Sequence, residues 1–173
     1  MTGRGTIAAY AAAVVAFGYA AVSLYWAACG RGLLSTIGGY AEQAASSGGA
    51  GATALGLADV VAKVVGGLLA LALVQRWGRA IPQRGLLIVA SAASVLLVVY
   101  GGLYVLAGAL VLANVVHPAG TVDRTALRWH TGVWDLWFLV WGILLAVATV
   151  SWWRSQRRAR QAELRPAGAQ PRP

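Results

Sequence analysis

One stretch of this chain restricts its fold more than any other. Residues 85–116 form an uninterrupted run without a charged side chain. A transmembrane helix needs about 20 apolar residues, so this run exceeds one span but cannot hold two spans and a turn. It predicts a single long, tilted helix that crosses the bilayer over residues 85–107. Residues up to 116 either extend that helix, which one of its glycines can bend, or lie along the interface.

Three further apolar runs accompany this one, at residues 7–28, 54–74 and 129–153. The chain is 59% hydrophobic and 11% charged, whereas soluble domains are roughly 45–50% apolar and about 25% charged. The first run is longer than the roughly 7–15 apolar residues of a signal peptide, so it is interpreted as a retained span. The prediction is an all-α transmembrane four-helix bundle over residues 1–153, followed by a basic, disordered tail over 154–173.

Arginine residues are distributed unevenly between the two sides of this bundle. Four spans place both termini and the second loop on one side, which carries ten arginines against three on the other. Because arginine is enriched on the cytoplasmic side, we expect a multi-pass protein of the cell (plasma) membrane with cytoplasmic N- and C-termini. The ten are Arg4, Arg76, Arg79, Arg84, Arg154, Arg157, Arg158, Arg160, Arg165 and Arg172, and the three are Arg31, Arg124 and Arg128.

Net charge by itself has two interpretations. The formal charge of +9 is compatible with nucleic-acid binding or with membrane topology. The basic residues lie between and after apolar runs, and the tail lacks the interleaved aromatic residues that stack on bases. The lipid bilayer is therefore the expected partner, and nucleic acid is not.

Two ionisable residues lie inside the second predicted span, near its outer end. Asp59 and Lys63 are four residues apart, so they share a helix face and can form an ion pair. Such residues in a span are costly and are usually paired or face a cavity. The pair is either the polar floor of an outward-facing pocket or a structural contact that fixes helix packing.

The start of the fourth span carries a second polar group. Arg128, Thr131 and Asp135 are spaced for one face of a regular helix. Arg128 and Asp135 can contact a shared ligand, or Asp135 can pair with Lys63. A carboxylate in a span can also exchange protons. The candidate acid–base residues are Asp59, Asp135 and His130, and the candidate binding residues are Lys63, Arg128, Trp26, Trp134 and Trp137.

Aromatic residues follow the same helix. His130, Trp134, Trp137 and Trp141 lie on a neighbouring face, which can line a groove for a hydrophobic substrate. Such stripes more often face lipid or pack against other helices. His117 and His130 flank one short loop without a further ligand motif, so the sequence predicts neither a metal nor a cofactor.

Two segments carry a resemblance to a known family. They are Leu127-Arg128-Trp129-His130 with Trp134-Asp135-Leu136-Trp137-Phe138 and Gly142, and Tyr25-Trp26-Ala27-Ala28-Cys29-Gly30. Together they resemble the last and first helices of a family of short actinobacterial membrane proteins with a domain of unknown function. Cys29 departs from the glycine usual there, and the Gly/Ser-rich first loop resembles an insertion. The resemblance implies about four spans and supplies no activity.

Two functional hypotheses follow from the sequence. There is no nucleophile elbow, phosphate-binding loop or metalloprotease motif. This favours a non-enzymatic accessory, scaffold or small-solute transport component that acts as a homo-oligomer or with a membrane protein partner. The alternative is a membrane enzyme that acts on a lipidic or isoprenoid substrate through an outward-facing Asp/Lys/Arg/His cluster.

Overall fold

The computed structural model describes residues 3–28, 30, 32–33, 36, 49–120 and 122–163. These residues form helices and turns and contain no strand. Four helical segments are long and apolar enough to cross a membrane, which confirms the predicted all-α transmembrane four-helix bundle. The elements are α1 (Gly3–Ala27), α2 (Ala50–Ala72), a 3₁₀ helix (Arg76–Ala80), α3 (Gln83–Leu112), α4 (Arg124–Trp129), a π-helical turn (His130–Trp134) and α5 (Asp135–Glu163).

The helices form a row in which α1 and α5 are central. Helix α1 packs against α2 and α5, and α3 packs against α5, whereas α2 and α3 make few contacts with each other. Lipid provides no hydrophobic drive for helix association, so small side chains that allow close approach stabilise such contacts. Helix α1 supplies a stripe of buried alanines at three- and four-residue spacing, namely Ala8, Ala9, Ala12, Ala13, Ala16 and Ala20.

Two glycines set the close approach of α3 and α5. A Cβ atom on Gly101 would lie 2.5 Å from the Leu139 nitrogen and 2.8 Å from the Asp135 carbonyl oxygen. A Cβ atom on Gly142 of α5 would lie 2.7 Å from the Val98 nitrogen. The two backbones therefore touch at both points and leave no room for a side chain.

The long apolar run forms one continuous helix. Helix α3 spans Gln83–Leu112, and the chain then turns through Asn114, whose φ of 57° lies in the left-handed region. Asparagine tolerates this conformation better than most residues. The amides of Val115 and Val116 bond back to the Leu110 carbonyl, so the last residues of the run close the helix rather than extend it.

The fourth segment begins earlier and ends later than the predicted 129–153. The Asp123 carboxylate caps α4 by accepting hydrogen bonds from the amides of Thr125 (2.8 Å) and Ala126 (3.1 Å). At the other end, α5 continues to Glu163, through residues that the sequence assigned to the tail. Residues 164–173, and most of the first loop including Cys29 and Arg31, lie outside the described residues.

Candidate functional site

Lys63 and Asp59 form an ion pair on one face of α2. The pair is asymmetric, because the side chain of Lys63 is 6% exposed and that of Asp59 is 52% exposed. The Lys63 ammonium also lies 4.4 Å from the ring centroid of Tyr19 on α1 and 5.8 Å from that of Phe138 on α5. A cation over an aromatic face is stabilised by the ring quadrupole. The ammonium is therefore enclosed by three helices, while the carboxylate remains open.

The depth of this pair differs from the prediction. The sequence placed Asp59 and Lys63 near the outer end of the second span. Helix α2 begins at Ala50, so the two residues flank its central residue, Val61. Long helical side chains lean towards the N-terminus of their helix, which in α2 carries the Lys63 ammonium towards the half of the span nearest the first loop. The pair thus lies near the middle of the span, where an exposed carboxylate is most costly.

Tyr19 is the centre of an aromatic cluster between α1 and α5. Its ring centroid lies 5.9 Å from that of Trp134, 5.3 Å from Trp137 and 5.0 Å from Phe138. The indole of Trp137 donates a 2.9 Å hydrogen bond to the Val15 carbonyl. Trp134 and Trp137 therefore pack between α1 and α5 and hold the two helices together. They also pack against the Tyr19 ring, which contacts the Lys63 ammonium.

Asp135 is paired with His130 across the π-helical turn. The His130 Nδ1 atom lies 3.5 Å from the Asp135 Oδ2 atom, and Asp135 is almost completely buried. The spacing argument that linked Arg128, Thr131 and Asp135 is wrong, because a π turn inserts a residue and changes the helical register. Arg128 is exposed on α4, and the described residues show no ion pair between it and Asp135. Lys63 is paired with Asp59 and not with Asp135.

The end of the cluster nearest the first loop involves Trp26. Its indole donates a 2.8 Å hydrogen bond to the Gly32 carbonyl, and its ring meets that of Trp134 edge to face at 5.2 Å. The Trp134 indole donates to the Thr36 hydroxyl at 3.2 Å. Trp26 and Trp134 therefore join the start of the first loop to the aromatic cluster.

The flank between α2 and α3 gives access to this cluster. Phe138 lies between the two helices, near Lys63 on one side and 5.2 Å from the Tyr100 ring on the other. Tyr100 stacks obliquely on Tyr104 at 4.7 Å, and both are exposed. Helices α2 and α3 make few contacts, so the surface between them is open. The exposed carboxylate of Asp59 and the exposed phenols of Tyr100 and Tyr104 border this surface, and aromatic rings form its floor.

Sequence reasoning overlooked Tyr19, Phe138 and Tyr100. Tyr19 had a detectable signal, because it falls on the same three- and four-residue spacing as the buried alanines of α1. It was therefore one of the large residues expected on that buried face. Phe138 and Tyr100 had no comparable signal, since their importance comes from where α5 and α3 cross.

Nothing in the described ranges forms a metal-binding group. No three histidine, cysteine, aspartate or glutamate side chains come together within residues 3–28, 30, 32–33, 36, 49–120 and 122–163. The His130 imidazole lies next to the Asp135 carboxylate. The chemistry available in this part of the chain is ion pairing, cation–aromatic contact and proton exchange.

These features define a class of protein: a four-span membrane bundle with a charged, aromatic-lined cluster inside its spans. Residues 16–145 match the family described as "Protein of unknown function (DUF3995)", and the chain belongs to that family. This confirms the resemblance to a family with a domain of unknown function. Neither the curated proteins nor the solved structures contain a significant match to this chain.

Proposed function

We propose that this protein is a non-enzymatic membrane component that binds amphipathic organic cations at the flank between α2 and α3, as part of a small-solute transport system. One observation carries the proposal: Asp59 presents a half-exposed carboxylate near the middle of a span while its lysine partner is enclosed. A carboxylate in that position is costly unless a charged or polar group covers it. A bound cationic ligand shields the Asp59 carboxylate from the lipid.

The charge and the aromatic surroundings favour a cation over an anion. The cluster holds two carboxylates, Asp59 and Asp135, against the single ammonium of Lys63, with His130 beside Asp135. The ammonium is almost completely buried, so an anion has no access to it. Phenol and phenyl faces bind cations and apolar groups together. The matching ligand is a lipophilic molecule with a positively charged centre.

Binding of tetraphenylphosphonium to the protein in lipid nanodiscs tests this proposal. We expect binding to the wild type, detected by quenching of tryptophan fluorescence, and weaker binding of tetraphenylborate, which has the same shape and the opposite charge. The double variant Asp59→Asn/Lys63→Met removes one charge of each sign, so the net charge of the cluster is unchanged. It should bind tetraphenylphosphonium at least about tenfold more weakly, because the local carboxylate is lost.

Asp123→Asn is the matched control. It makes the same chemical change at the cap of α4, outside the cluster, and asparagine also caps helices well. This variant should bind the phosphonium like the wild type. Equal affinity of the double variant and the wild type would refute the proposal, as would equal binding of phosphonium and borate.

The enzyme hypothesis rests on the pair formed by His130 and Asp135. A histidine oriented by a buried carboxylate can act as a general base, and the π turn that brings the two together is a feature often found at functional sites. An enzyme acting on a lipidic or isoprenoid substrate would lose turnover in His130→Gln. Cation binding at Asp59 would survive that change, so the two functions are distinguishable in one set of variants.

A transport role needs more than one copy of this chain or a partner subunit. The centre of the bundle is filled by buried side chains that include Trp141, Leu145 and Trp152. Assembly as a homo-oligomer, or with another membrane protein, would build a passage along the α2–α3 flank.

We also propose that both termini face the cytoplasm from the cell membrane. The support is the ratio of ten arginines to three between the two sides. A reporter enzyme active only in the periplasm or cell exterior should be silent when fused after Glu163 and active when inserted next to Gly120 in the third loop. The opposite pattern would invert the proposed topology.

A further inference from the structure

A polar cavity lies at the end of the bundle opposite the first and third loops. Its volume is about 270 Å³. It is bordered by the start of α1, the end of α2, the 3₁₀ helix, the start of α3 and the last turns of α5. Its polar lining side chains are Thr6, Tyr10, Gln75, Arg79, Gln83, Ser155 and Gln156.

The local fold fixes one arginine in the wall of this cavity. The 3₁₀ helix Arg76–Ala80 folds back against the end of α2, so closely that a Cβ atom on Gly78 would collide with the Ala72 carbonyl oxygen. Glycine at position 78 therefore allows the 3₁₀ helix to pack directly against the end of α2. Arg79, the next residue, lines the cavity, whereas Arg76 in the same 3₁₀ helix does not.

The remaining polar groups present hydrogen-bond donors. The Gln75 amide donates to the Tyr10 hydroxyl at 3.1 Å, which leaves the Tyr10 O–H to donate elsewhere. Arg160 donates to the Gln83 Oε1 atom at 2.9 Å, which orients the Gln83 amide nitrogen away from that bond. Helix α3 begins at Gln83 without a side-chain cap, so its first amides add further donors.

The charge of the cavity has one sign. None of the lining side chains is acidic, and Arg79 is cationic. The cavity also lies where α2 ends and α3 begins, which is the level of the lipid headgroups for a helix pair that spans the bilayer. Such a site combines hydrogen-bond donors with a positive charge and has no acidic lining side chain to repel an anion.

We propose that this cavity binds a phosphate-bearing group, which pairs with Arg79 and accepts hydrogen bonds from Tyr10, Gln75 and Gln83. Guanidinium groups match phosphate oxygens in geometry and charge. Two sources carry this chemistry, the headgroup of an anionic phospholipid and free inorganic phosphate. This cavity is separate from the cluster around Asp59 and Lys63, so the phosphate-binding proposal does not depend on the proposed function.

The test has a lipid arm and a phosphate arm. In the first, the protein is taken from vesicles of phosphatidylcholine and phosphatidylglycerol, and the lipids that remain bound are counted by native mass spectrometry. Arg79→Gln should lower the enrichment of phosphatidylglycerol about tenfold, the effect of losing one hydrogen bond between charged groups. In the second, inorganic phosphate is added to the protein in detergent, and the shift in Tm is measured.

Arg76→Gln is the matched control, because it removes the same charge from the same 3₁₀ helix outside the cavity. It should retain the wild-type enrichment, and Arg79→Lys should retain part of it, which shows that the fold is intact. A phosphate-dependent rise in Tm that Arg79→Gln abolishes, without lipid enrichment, assigns the site to free phosphate. The proposal is overturned if Arg79→Gln behaves like the wild type in both arms, or if Arg76→Gln loses as much as Arg79→Gln.

Discussion

Replacement of Asp59 with asparagine should lower the free energy of unfolding by about 3 kcal/mol. The substitution leaves the Lys63 ammonium enclosed by α1, α2 and α5 without its counter-ion. Removing one member of a buried pair costs more than the pair itself contributes, because the remaining charge is still desolvated. The contact with the Tyr19 ring at 4.4 Å offsets part of this cost. The measurement is a titration with sodium dodecyl sulfate in mixed micelles, followed by tryptophan fluorescence.

The double variant Asp59→Asn/Lys63→Met provides the decisive comparison. Methionine fills a space similar to that of the lysine stem and leaves no charge to compensate. The double variant should therefore be more stable than Asp59→Asn alone, with a coupling energy of about 1–3 kcal/mol. If the costs of the two single substitutions simply add, the residues are not energetically coupled and the pair has no structural role.

The second large effect is expected at Gly101, where α3 crosses α5. Alanine at this position places a methyl group 2.5 Å from the Leu139 nitrogen, which is backbone and cannot move aside independently. The helices must separate, and overpacking of this kind costs roughly 1–3 kcal/mol. We expect Gly101→Ala to lose about 2 kcal/mol of stability in the same titration. It should also disturb the Asp135 carbonyl, which lies 2.8 Å from the new methyl group.

Gly102→Ala is the control, because it makes the same substitution one residue away. The nearest atom to a Cβ there is the Leu139 Cδ1 atom at 3.8 Å, an ordinary contact. Since alanine favours helix more than glycine by up to about 1 kcal/mol, this variant should equal or exceed the wild type in stability. A similar loss in both variants would mean that backbone flexibility, and not the crossing, explains the effect of Gly101→Ala.

Features that depend on local sequence were predictable. Span number follows from the length of each apolar run, and the four runs yield four long helical segments. The contact between Asp59 and Lys63 follows from a four-residue spacing within one helix, and the structure contains that pair. Both are determined within about 20 consecutive residues, so no knowledge of neighbouring helices was needed.

Features that depend on helix register were not predictable. The π turn adds one residue to an otherwise regular helical segment, and the residue types in His130–Trp134 do not predict it. It brings His130 next to Asp135, whereas Arg128 is exposed on α4. The polar cavity beside Arg79 was missed for a similar reason: Arg79 was interpreted only as a topology signal. Its companions come from helices distant in sequence and are brought together only by the packing of the bundle.

Helix α5 has a mechanical consequence that follows from its length. Its 29 residues extend about 44 Å at 1.5 Å per residue, whereas the hydrocarbon core is about 30 Å thick. One unbroken rod therefore carries Asp135 near one end and Ser155, Gln156 and Arg160 near the other. The Gly101 and Gly142 contacts hold the first third of this rod against α3, so a tilt about them leaves Asp135 nearly in place and moves the other end farthest. A tilt of α5 therefore changes the shape of the polar cavity far more than the surroundings of Asp135.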